Sequence, residues 1–124
     1  MNEVQALFKK AAEALAAARY NLDGGFLTTA INRAYYASFY ATRAALLTLG
    51  EAPKTHQGVI LRFNLHFVKT GRLDSRVAAI LSFAGELREG ADYDLALNIE
   101  PHAVTDLIAD VERFVQAVET IITP

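Results

Sequence analysis

Three groups of residues carry side chains that could hold or transform a charged ligand. Arg33, Tyr36, Tyr40 and Arg43 recur at i, i+3, i+7 and i+10, so on a helix two guanidinium groups and two phenols share one side. Lys54-Thr55-His56 stands just ahead of an apolar run, where the free N–H groups of a helix start would join a lysine, a threonine and a histidine around an anion. In the third group Arg88 and Asp92 can pair at i, i+4, and Tyr93 is a phenol between the carboxylates of Asp92 and Asp94. The chemistry open to these types is phosphate recognition, with a hydroxyl or an imidazole beside the cation. Each group also has a purely structural use: tyrosines at the rim of a core, arginine stems laid over apolar surface, a helix cap, and a salt bridge fixing a connection.

Other chemistries lack their residues. The sequence holds no Gly-rich phosphate loop, no HExxH, no nucleophile elbow and no calcium loop. With no cysteine, thiol catalysis and cysteine-ligated zinc are excluded. His56 and His66, on one continuous helix, would sit about 15 Å apart along its axis, too far to grip one ion, so neither a metal nor a cofactor is expected. Glu86 and Glu89 stand i, i+3 beside Arg88 and read as a solvated charged face. In an up-and-down bundle Arg33 and His56 would lie more than ~20 Å apart if their helix is straight, so one site need not contain every candidate.

The elements that must position these residues are helices. Ile31–Leu49 has almost no polar side, which makes it the central member of a bundle. It carries a methyl ridge, Ala30, Ala34, Ala37, Ala41 and Ala45, for close approach of another helix. A bulky ridge, Tyr35, Phe39, Thr42, Leu46 and Leu49, runs roughly opposite. Helix 1 is predicted from Glu3, capped by Asn2, to about Asn21, and its alanines should face those of helix 2, which runs from about Phe26 to Gly50. Thr55 caps a short third helix that ends near Val68. Asp74 or Ser75 starts a fourth that Gly90 weakens, so that Gly90–Asn98 reads as a connection. Glu100 and Pro101 open a fifth. The fold class predicted is all-α, an up-and-down bundle of about five helices, four long and one short, in a single domain over residues 1–124.

A composition of 52% apolar residues supports a compact core, and a formal charge of −2 advertises neither a nucleic-acid binder nor a membrane-surface protein. The start lacks an apolar secretory h-region, and Arg33 and Arg43 interrupt the most apolar run. A soluble cytoplasmic protein without membrane contact is expected.

Taken in order, the phrases NRAYYASFYATRAALL, KTHQGVILRFNLHFVKTG and ELREGADYD resemble the small stand-alone HEPN-domain proteins of prokaryotes, over roughly Ala6 to Phe114. The resemblance implies a HEPN-like helical bundle that forms a homodimer or higher homo-oligomer. It also implies a minimal nucleotidyltransferase as partner, the two acting as toxin and antitoxin. Ribonuclease members carry an arginine, four to six residues, then a histidine. Arg88 matches the arginine, but Tyr93 stands where histidine is expected, and no histidine follows at the permitted spacing. Without that imidazole the 2′-hydroxyl of RNA lacks its general base, since a tyrosine near its usual pKa of about 10 is protonated at neutral pH. Three readings follow. The first is a non-catalytic module that binds its partner and a nucleotide or RNA through Arg88 and Tyr93, with Arg33, Tyr36, Lys54, His56 and Asp92 as further ligand contacts. The second is a metal-independent ribonuclease toxin drawing its catalytic groups from Arg88, Tyr93 and His56. The third is a scaffold without ligand.

Overall fold

The computed structural model describes residues 2–95 and 97–123, and the predicted bundle is present: helices account for every regular element among the described residues. They are α1 (Glu3–Asp23), α2 (Leu27–Leu47), α3 (His56–Phe63), α4 (Ser75–Tyr93) and α5 (Pro101–Ile122). Their starts follow from side chains that satisfy the free N–H groups of a first turn. Asn2 Oδ1 accepts from Gln5 N at 2.8 Å while Gln5 Oε1 accepts from Asn2 N at 3.1 Å, a reciprocal cap. Thr55 Oγ1 accepts from Gly58 N at 2.9 Å, and Asp74 Oδ1 from Arg76 N at 2.7 Å. Pro101, with no N–H to satisfy, begins α5.

Helix α2 packs against all four others, which is why its sequence has so little to offer water. The methyl ridge Ala30, Ala34, Ala37, Ala41 and Ala45 is wholly buried, and so are Ala11, Ala14 and Ala18 of α1, the helix with which α2 makes its most extensive contact. On the bulky ridge Tyr35, Phe39, Thr42 and Leu46 are buried, whereas Leu49 lies past the helix end and is exposed. Ser38 and Thr42 are buried too, and each hydroxyl donates to a carbonyl one turn back, Tyr35 O at 2.6 Å and Ser38 O at 2.9 Å. Away from the α1 side, Phe63 stacks on Phe67 and meets Phe114 at a tilt, closing the core between α3 and α5.

Three details depart from expectation. Gly90 does not end α4, which runs on to Tyr93; a Cβ at Gly90 would come within 3.2 Å of Leu97, so the small residue leaves room for the returning chain. The connection therefore begins after Tyr93, and its Ala96 lies outside the described residues. Helix α3 is not continuous to Val68: after Phe63 the backbone widens into a π turn over Asn64–Val68, with Lys69 N donating to Asn64 O at 2.8 Å.

The third departure decides where the site lies. The segment from Thr48 to Thr55 does not start α3 at the tip of α2 but folds back along it, so that the His56 ring rests on Phe39. Phe39 is eight residues before the end of α2, a retreat of about 12 Å along its axis. Glu51 in this segment is clamped from α3, accepting from Arg62 Nε at 2.6 Å and Nη2 at 3.1 Å, and lies 2.5 Å from His66 Nε2. His66 follows one turn after Arg62, whose Nη2 is 3.1 Å from its Nε2.

Candidate functional site

The site grows from Arg88 on α4 and the aromatic side of α2. One turn before Arg88 is Gly85, where a Cβ would come within 3.3 Å of Tyr35 Cε1, so the missing side chain leaves room for the Tyr35 ring beside α4. The Arg88 guanidinium lies over that ring, 4.8 Å from its centroid, and 6.0 Å from the centroid of Tyr36. Such stacking favours arginine, whose planar cation is weakly hydrated and matches an aromatic face. Arg88 Nη1 is 3.6 Å from Asp92 Oδ2, one helical turn on, and Arg88 Nε is buried without a hydrogen-bond partner among the described residues. The pair with Asp92 orients the guanidinium without saturating its donors.

His56 completes the cluster. Its ring stacks on Phe39 with centroids 4.2 Å apart, meets Tyr36 edge-on at 5.9 Å, and its Nδ1 is 3.1 Å from the Tyr35 hydroxyl. Burial, then the Arg88 charge, push the His56 pKa below its ordinary value; burial pushes that of Tyr35 up. At neutral pH the pair is thus an uncharged imidazole and an intact phenol. Also against Tyr36, the Arg33 guanidinium sits 5.2 Å from the ring centroid, held by Asn32 Oδ1 at 2.8 Å.

Of the residues singled out in the sequence, Arg33, Tyr36, His56, Arg88 and Asp92 come together. The separation of more than ~20 Å expected between Arg33 and His56 is wrong, because both touch the single ring of Tyr36. The fold-back of the α2–α3 segment is the cause. Lys54 lies alongside, lining with Arg43, Thr55 and His56 an open groove of about 350 Å³. Tyr93 stands apart, 81% exposed, with no ring contact or hydrogen bond to the cluster among the described residues. Tyr40 is turned to α1, where Lys10 Nζ is 5.5 Å from its ring centroid. Glu86 and Glu89 are exposed, and no three His, Asp or Glu among the described residues gather as a metal site.

Sequence reasoning missed Tyr35, Phe39 and Gly85. The spacing puts Tyr35 and Phe39 on the core ridge, and 2% and 6% exposure bear that out, yet both also hold His56. The available signal was a buried tyrosine on an apolar ridge, because such a hydroxyl needs a partner.

The HEPN domain model matches residues 4–121, from the first turn of α1 to the last of α5. The chain belongs to the HEPN family. It is 35% identical over 126 residues to a UPF0332 protein of Thermotoga maritima, covering 98% of this chain and 96% of that one. It is 37% identical over 117 residues to a Methanocaldococcus jannaschii protein named "Putative toxin", covering 94% of this chain and 87% of the relative. A second protein of that organism with the same designation is 36% identical over 98 residues, 79% of this chain and 67% of the relative. In this HEPN chain the imidazole beside Arg88 comes from the start of α3, not from the residues that follow the arginine. No helix among the described residues is long and apolar enough to cross a membrane.

Proposed function

We propose that this HEPN chain is the toxin-side half of a toxin–antitoxin type pair, a cytoplasmic homodimer that binds a minimal nucleotidyltransferase and takes the phosphate of a nucleotide or RNA end at Arg88. The observation that carries the reading is the guanidinium of Arg88, stacked on Tyr35 and Tyr36, oriented by Asp92, and flanked by His56 and Arg33. An oriented arginine with donors to spare suits a phosphate, which takes two parallel N–H bonds. Tyr93, exposed at the end of α4, is free to stack on a base or meet the partner. The relatives named "Putative toxin" support the toxin side of the reading. Two measurements test the reading. The chain should co-purify at micromolar concentration with the nucleotidyltransferase encoded beside it, and Arg88→Ala should lose affinity for a 5′-phosphorylated RNA oligonucleotide by at least tenfold. Failure of both removes the proposal.

A second reading, a metal-independent ribonuclease, is favoured by one observation: an imidazole stands in the Arg88 cluster after all. It requires RNA cleavage by the pure chain in EDTA that disappears in Arg88→Ala. Cleavage undiminished in the variant rules it out.

A further inference from the structure

We propose that His56 serves as a neutral Nε2–H donor to phosphate, and that Tyr35 is the positioning residue that sets this tautomer by donating its hydroxyl proton to Nδ1. The ligand half of this inference rests on the phosphate-binding reading of the Arg88 face; the tautomer does not.

The contact between Tyr35 Oη and His56 Nδ1, 3.1 Å long, can run either way. If the imidazole donates, the phenolic hydrogen has no acceptor among the described residues, and Tyr35 is only 2% exposed. A buried donor left unsatisfied costs more than an unused lone pair on the same oxygen. If the phenol donates, every hydrogen in the contact is used. The Arg88 cation over the Tyr35 ring adds to this, since it draws electron density from the phenol, strengthening O–H as a donor and weakening oxygen as an acceptor. The same cation opposes a second proton on His56. The imidazole is therefore protonated at Nε2 alone.

Nε2 has no hydrogen-bond partner among the described residues, and His56 is exposed and lines the groove with Arg43 and Lys54. What the ring offers a ligand is a hydrogen, not a lone pair. It suits an anion and cannot take a proton from a hydroxyl without first exchanging tautomers. Phe39 beneath the ring and Gly85 beside Tyr35 fix the geometry from two further helical positions.

The experiment is a long-range 1H–15N correlation of His56 in the uniformly labelled, full-length chain near neutral pH. It is paired with fluorescence anisotropy of a 5′-phosphorylated pentauridylate. Wild type should show Nε2 protonated and Nδ1 as acceptor, and Tyr35→Phe, its fold checked by amide spectra, should shift to a mixture of tautomers. His56→Gln, whose amide N–H falls near Nε2, should bind within about twofold of wild type, while His56→Ala should bind at least about tenfold more weakly, the loss of one hydrogen bond to a charged acceptor. An Nδ1–H tautomer in wild type, or a His56 spectrum unchanged in Tyr35→Phe, overturns the inference while leaving Arg88 binding standing. Binding undiminished in Arg88→Ala overturns the phosphate reading and the ligand half of the inference with it.

Discussion

Replacing Arg88 by lysine keeps the charge and removes the plane. The guanidinium rests on Tyr35 while Nη1 reaches toward Asp92, and an ammonium cannot stack and fork in this way. Arg88→Lys should therefore lose most of the affinity for phosphorylated RNA, at least about fivefold by anisotropy. His56 links the cluster to pH. Its folded-state pKa is depressed, so between that value and the unfolded value of about 6.5 the unfolded chain binds more protons than the folded one. Stability is highest above this window and falls as the pH drops through it. Urea midpoints should decline on acidification below pH ~6.5, and His56→Gln should flatten that decline. Glu51 works lower on the scale: Arg62 holds its carboxyl below the usual range. Its contribution is present above the unfolded carboxylate pKa and disappears as pH falls through the lowered one.

Among the elements, α3 depends most on its cap. Thr55→Ala removes the acceptor for Gly58 N and should cost about 1 kcal/mol, read from urea unfolding, with His56 losing its place first. Close approach of α1 and α2 is set by buried alanines, Ala34 at zero exposure, so Ala34→Leu should destabilise by about 1–3 kcal/mol or prevent folding. These positions were readable beforehand. Asn2, Thr55, Asp74 and Pro101 each mark a helix start through local chemistry, and the alanine ridge declares itself by its 3.6-residue spacing. What was hidden is non-local. Nothing in Gly90 itself says that Leu97 will cover it, and nothing in Asn64–Val68 distinguishes a π turn from the α-helix its apolar spacing suggests. The path of the α2–α3 segment depends on Glu51 finding Arg62 and His66, eleven or more residues away, so the meeting of His56 with Arg33 and Arg88 was not legible.

At the scale of the whole molecule, the core and the site share one helix. The side of α2 that meets α1 builds the fold, and Tyr35, Tyr36 and Phe39 on the other hold the cluster. Substitutions in the core and in the cluster should separate in experiment. Phe114→Ala, opening a cavity beside Phe63, should cost about 3–5 kcal/mol and lower binding only as the folded fraction falls. Arg33→Ala should leave the urea midpoint nearly unchanged while weakening RNA binding about twofold to fivefold, since the guanidinium lies over the Tyr36 ring and pairs with no carboxylate among the described residues.

The stretch from Thr48 to Thr55 works as a measured tether. Its length, fixed at one end by the tip of α2 and pinned midway by Glu51, determines how far down the rod the imidazole is delivered. Splicing two glycines between Ala52 and Pro53 would leave all five helices able to form and strand His56 away from the phenol. Assembly of the five helices and delivery of His56 to Tyr35 should then prove separable, governed by different lengths of chain.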